Sequence, residues 1–172
     1  FRQAVAAYAN ALPYLRESRF EVQQAVTSNN LARALSESGL PLRAARICRD
    51  ALELHERLGA ESYMAYAHNT LALIFNDALT PEEAWLEAAI AAAYFRRLGN
   101  ARGIGLSLLQ LGEALRRLST SDKTLPDTPV ELQEAAEQVL QEALGIFTDE
   151  QNPFSKEIIR RIEAKIEIGC LF

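Results

Sequence analysis

Set beside itself at an offset of about 40 residues, the chain aligns with itself, and this period constrains its fold more than any other feature. Ala4, Ala44 and Ala84 fall in one column, Ala11, Ala51 and Ala91 in a second, and Leu31, Leu71 and Leu111 in a third; Leu58-Gly59 returns as Leu98-Gly99. A fixed period of this length marks a repeat array. Each unit is one supersecondary element, too small to bury its own apolar face, so neighbours must stack to complete a continuous core. The 172 residues leave room for about four such units. Stacking exposes an extended surface, and function is expected there.

Within one period the pattern is helical. From Leu40 to Leu58 the apolar positions Leu42, Ala45, Ile47, Cys48, Ala51, Leu52, Leu54 and Leu58 form one broad stripe at helical spacing. Gly39 and Gly59 stand where glycine ends a helix. One unit is therefore two antiparallel helices. The expected organisation is a single repeat domain: residues 1–19 the second helix of a partial unit, 20–59 and 60–99 complete units, 100–150 a unit with a loop insertion at 117–129, and 151–172 a final helix. The step from Ala91 to Ala143 is longer than the step from Ala51 to Ala91, and the polar stretch to Pro129 accounts for the excess. Such an insertion is either a functional loop on one face or a tolerated surface loop. Thr80, Pro81 and Glu83 read as a capping box. Pro13 is expected to kink the first helix or end it early. Ile158, Ile162 and Ile166 mark one face of the last helix.

The small residues have a packing reason. Ala44, Ala51, Ala84 and Ala91, with Ala32, Ala72 and Gly112 opposite, are expected where paired helices approach to ~8–10 Å. Leu31, Leu71, Leu111, Leu35, Phe75 and Leu115 fill the space beside them. Trp85, in the column of Ala45, is expected in the core or between units, with an exposed contact as the alternative. The fold class is all-α, a right-handed α-α superhelix of three to four helical hairpins.

Composition excludes several functions. Hydrophobic residues make up 49% and charged residues 24%, the balance of a folded globular chain. No run approaches the ~18 apolar residues of a membrane span, so no membrane role is expected. A net charge of −5, with 18 basic and 23 acidic residues intermixed, provides no field for nucleic acid. Cys48 and Cys170 have neither disulfide-framework nor metal-site spacing, consistent with a reducing cytoplasm. No signal-peptide pattern follows Phe1, and a start inside an amphipathic helix is expected of a piece of a longer protein.

The columns Leu31-Ala32, Leu35, Gly39, Ala44, Cys48 and Ala51-Leu52, repeated as Leu71-Ala72, Phe75, Ala84, Ala88 and Ala91, resemble the tetratricopeptide repeat. The resemblance covers nearly the whole chain. The family's usual unit is about 34 residues with an early tryptophan. Here the unit is longer, as the step from Ala44 to Ala84 shows, and Ser28, His68 and Leu108 stand in the tryptophan column. The longer unit and the phrase from Phe95 to Gly112 are similar to a subclass in large bacterial signalling proteins. There, the resemblance implies, such arrays follow a nucleotide-switched ATPase module, as in MalT-like and SARP-type regulators, and act as sensor or scaffold.

No catalytic constellation stands out, and no metal or cofactor is expected. His55 and His68 lie on different helices outside any HExxH pattern and read as surface or half-buried structural residues. Cys48 lies in a core column and reads as a packed hydrophobe. Gly103 and Gly105 form a GxG without nucleotide-binding context. In tetratricopeptide arrays the first helix of each unit lines the concave face. The candidate binding residues there are Asn29, Arg33, Tyr66, Asn69, Asn76, Asp77, Glu113 and Arg116. Asparagine pairs with peptide backbone and arginine with carboxylates; the alternative is a solvated polar face. The chain is expected to be a non-enzymatic interaction or ligand-sensing segment holding a peptide, a protein partner or a neighbouring domain. Homo-oligomerisation through uncapped ends, at Phe1 and at 166–172, is the competing reading.

Overall fold

The computed structural model describes residues 1–120, 129–148 and 153–169. Among them are eight helices and no strand: α1 (Arg2–Glu17), α2 (Glu21–Ser36), α3 (Pro41–Arg57), α4 (Glu61–Asp77), α5 (Pro81–Arg97), α6 (Ala101–Ser119), α7 (Pro129–Thr148) and α8 (Pro153–Gly169). Each helix packs on the next in sequence. In addition, α2 touches α4, α4 touches α6, and α6 touches α8, while no corresponding contact joins α1, α3, α5 and α7 among the described residues. The even-numbered helices are thus the closer-spaced row, which makes them the inner wall of a curved helical stack.

The helix ends recur at even spacing for a backbone reason. At Gly39, Gly59 and Gly99 the chain turns with φ of 81°, 64° and 65°. The amide after each glycine bonds back to the carbonyl five positions earlier: Leu40 to Leu35, Ala60 to His55, Asn100 to Phe95. This is the Schellman closure, which satisfies carbonyls the helix leaves open. The same closure forms at Arg19 and Leu79, where Phe20 bonds Leu15 and Thr80 bonds Phe75. These two non-glycine residues are held at φ 55° and 60°, where a Cβ is crowded.

The small-residue columns pack as expected. Ala32, Ala44, Ala51, Ala72, Ala84, Ala88 and Ala91 are buried. Leu31, Leu35, Leu71 and Phe75 join Ala44 and Cys48 in one apolar cluster, and Leu108, Leu140 and Phe147 join Ile158 and Ile162 in another. The glycines of α6 belong to this scheme. A Cβ on Gly103 would lie 2.3 Å from the Phe95 ring, one on Gly105 2.7 Å from Phe147, and one on Gly112 2.6 Å from Leu140 Cγ. The GxG therefore serves helix packing, with no room at either position for a methyl group.

Several expectations need correction. Thr80 precedes α5 with Pro81 at the first helical position, but its side chain caps nothing in α5. Its hydroxyl instead donates to the Phe75 carbonyl at 3.4 Å, because the closure of α4 already holds the chain there. Pro13 does not end α1, which continues to Glu17. Leu118 is buried within α6, packed with Leu115, Leu132 and Ala136, so the helix continues into the expected insertion; residues 121–128 of that insertion lie outside the described residues. Trp85 is 44% exposed rather than packed in the core. His55 is 1% exposed, neither on the surface nor half-buried.

Candidate concave binding site

The inner wall carries two cavities. The larger, of about 400 Å³, lies between α2 and the N-terminal parts of α4 and α6, and includes Asn29, Arg33, His55, Tyr66, Asn69 and Arg102 in its wall. The smaller, of about 140 Å³, lies toward the C-terminal ends of the same helices, with Leu73, Asn76, Asp77 and Glu113 facing Arg161 and Lys165 of α8. Helical repetition explains the sharing. Residues 29 and 69, 33 and 73, or 37 and 77 occupy the same face one unit apart, so their side chains line one continuous wall.

Of the eight candidate residues, Asn29, Arg33, Tyr66 and Asn69 border the larger cavity, and Asn76, Asp77 and Glu113 the smaller. Arg116 stands beside them, its guanidinium 3.3 Å from the Glu113 carboxylate. Several are already engaged within the protein. Asn76 is buried, and its Nδ2 donates to the backbone carbonyl of Gln110 at 3.0 Å and to its side-chain Oε1 at 3.1 Å. Asp77 accepts from Ser36 Oγ at 2.6 Å, a bond that ties α4 to α2. Asn29 Oδ1 accepts from the Cys48 thiol at 3.3 Å, and Asn69 Oδ1 lies 3.4 Å from Ser107 Oγ, whose proton goes to the nearer Gly103 carbonyl at 3.0 Å. Arg33 pairs with Glu37 at 3.2 Å on an exposed turn.

Glu113 is the most encircled of these groups. Only 5% exposed, it receives Arg117 at 2.8 Å, Arg116 and, from α8, Lys165 Nζ. Burial alone would raise its carboxyl pKa; the bond to Lys165 and the charges of Lys165, Arg116 and Arg117 outweigh it and hold the group below the ordinary carboxylate value. This network joins α8 to the inner wall.

Sequence reasoning did not place His55, Tyr63, Arg102 or Lys165 at these cavities. A signal for His55 was present: it occupies the column of Phe95, a core position. The pairing repeats as well, since the His55 ring stacks on Tyr63 at 5.3 Å where the Phe95 ring covers Gly103, one period later. Burial lowers the His55 pKa, so the neutral ring is favoured. Lys165 gave no such signal, because the insertion shifts α8 out of the ~40-residue register shared by α2, α4 and α6.

His68 and Cys48 are engaged within the protein. His68 Nδ1 lies 2.7 Å from Glu87, and its ring stacks on Tyr94. Cys48 is fully buried; burial first, then the Glu87 carboxylate, push its thiol far above the ordinary range, which leaves it a weak nucleophile. No group of His, Cys, Asp and Glu that could hold a metal occurs among the described residues, and no helix there is long and apolar enough to cross a membrane. No protein-family model and no curated protein matches the chain.

Proposed function

We propose that the chain is a tetratricopeptide-like interaction module, not an enzyme, and that it holds a peptide or a partner domain on the face formed by α2, α4 and α6. The observation that carries this reading is the polar inner wall: Asn29, Arg33, Tyr66, Asn69 and Asp77 flank two adjoining cavities on the closer-spaced row of helices. Rigid helices holding polar groups along a concave face suit recognition of an extended chain. On this reading the module is a cytoplasmic sensor or scaffold segment of a larger bacterial signalling protein. The test is affinity capture with the wild type, an inner-wall variant (Arg33→Ala, Asn69→Ala, Leu73→Ala) and an outer-face variant (Trp85→Ala, Leu86→Ala). A partner held by the wild type and the outer-face variant but lost by the folded inner-wall variant is expected. Loss in the outer-face variant alone contradicts the reading.

Self-association is the second reading, favoured by Phe1, Tyr14 and Phe20, which stand exposed on and next to α1. A monomer mass by light scattering at high concentration removes it.

A further inference from the structure

We propose that the larger cavity of the inner wall binds an anionic group, a carboxylate or phosphate borne by a small molecule or by an acidic peptide. This rests on the inner wall being the binding surface and adds the chemistry its wider end recognises. Three independent features of the cavity point to an acceptor-rich, negatively charged ligand.

The first is charge. Among the described residues, the charged groups bordering the cavity are Arg33 and Arg102, with no Asp or Glu in its wall. Both arginines are already engaged within the protein, Arg33 by Glu37 in an exposed pair that water and salt weaken, so a ligand anion competes at little cost for that guanidinium. Guanidinium groups suit carboxylate and phosphate through parallel hydrogen bonds.

The second is the direction of the amides. Asn29 uses Oδ1 to accept from inside the protein, from the Cys48 thiol at 3.3 Å, the nearer of that thiol's two acceptors. That side chain therefore keeps its Nδ2 donors for the cavity side, whereas the Ser107 hydroxyl beside Asn69 gives its one proton to the nearer Gly103 carbonyl at 3.0 Å. Tyr66 repeats this arrangement: its hydroxyl oxygen accepts from Asn100 Nδ2 at 3.3 Å, which leaves its proton to donate. The wall thus presents donors at two positions, Asn29 and Tyr66, whose acceptors are occupied, a pattern complementary to an anion rather than a cation.

The third is His55. Its ring is 1% exposed, borders the cavity and stacks on Tyr63, yet Nδ1 has no hydrogen-bond partner. Buried polar atoms are almost always paired, so this orphan, closed off while the ring itself borders the cavity, is satisfied if the ring turns toward a bound group. The neutral ring that burial favours can donate from Nδ1 in one tautomer. The cavity volume, about 400 Å³, falls in the range of small-molecule sites.

The chain contains two histidines, which makes their ring resonances a simple reporter. The experiment titrates the full chain, with ¹³C-labelled histidine, with succinate, inorganic phosphate and an N-acetylated Asp-Glu-Asp-Glu peptide at constant ionic strength. Chloride alone and an N-acetylated Lys-Ser-Lys-Ser peptide serve as controls, and His68→Gln assigns the signals. At least one acidic probe should shift the His55 resonance saturably while His68 stays in place. Arg33→Gln with Arg102→Gln should weaken that probe at least tenfold. Asn69→Asp, which puts a carboxylate in the wall at nearly constant shape, should abolish saturation, with circular dichroism confirming that both variants fold. Saturation by succinate or phosphate assigns a free small anion; saturation by the acidic peptide alone assigns a peptide carboxylate. The proposal is overturned if no acidic probe moves His55, if chloride reproduces the shift, or if the arginine variant binds as tightly as the wild type. Because these probes need no protein partner, such a result leaves the affinity-capture test of the inner wall standing by itself.

Discussion

At the level of single residues, the array depends on what is missing from certain side chains. Gly112 lets Leu140 approach α6 so closely that an added methyl would sit 2.6 Å from Leu140 Cγ, in a core where Leu140 is fully buried. Gly112→Ala should therefore cost about 1–3 kcal/mol through overpacking, although alanine is the better helix former by ~1 kcal/mol; urea denaturation measures the net loss. His55 makes a second prediction. Burial lowers its pKa below the ordinary 6.5, so its contribution to stability is complete above that pH and is lost as pH falls through the lowered value. His55→Phe, which installs the residue found one period later, should flatten the decline in thermal stability below about pH 6.5, as melting curves from acid to neutral pH would show. Much at this level was legible. Alanine columns betray close packing because only small side chains repeat there, and His55 shares a column with Phe95. Trp85 was not legible: its column partner Ala45 is buried, and nothing local shows that a larger residue at this position turns outward.

Among the elements, helix length follows from closure at a constant interval. Three closures use glycine at positive φ, whereas Leu79 adopts φ 60° despite its side chain, 68% exposed and without compensating burial. Leu79→Gly relieves the strain and loses some entropy, and a net gain of about 0.5–1 kcal/mol is expected; no change or a loss in thermal unfolding would refute the strain argument. The docking of α8 is a separate matter. Lys165 reaches Glu113 on α6, and Lys165→Ala should lower the free energy of opening α8 by about 1–3 kcal/mol, read as faster amide exchange across 155–166. Because the Glu113 pKa is depressed, this contact is complete at neutral pH and is lost as pH falls below the ordinary carboxylate range. Glycine and proline made most helix boundaries readable in advance. The turns at Arg19 and Leu79 were not, since their residues carry no preference for the conformation they hold, and the capping role expected of Thr80 failed because the preceding helix already claims that hydroxyl.

For the molecule as a whole, one contact pattern sets the shape: α2, α4 and α6 touch in succession, whereas among the described residues α3, α5 and α7 do not. The repeat period made the stack and its paired helices legible, since nothing else buries so many small columns at constant spacing. It did not reveal which polar groups on the inner wall remain available. Asn76 and Glu113 are candidate contacts in the sequence, and Gln110 of α6, Arg117 one turn along the same helix and Lys165 of α8 engage them within the protein. Asn29 keeps its donors because only its oxygen is used by the core. Whether the inner wall is the binding surface is best read by photo-crosslinking, with p-benzoylphenylalanine placed at position 73 on the inner wall or at position 86 on the exposed face of α5. A specific crosslinked partner is expected from position 73, competed away by unlabelled chain, and none from position 86. A competed crosslink from position 86 with none from position 73 would show that the stack binds through its outer face instead.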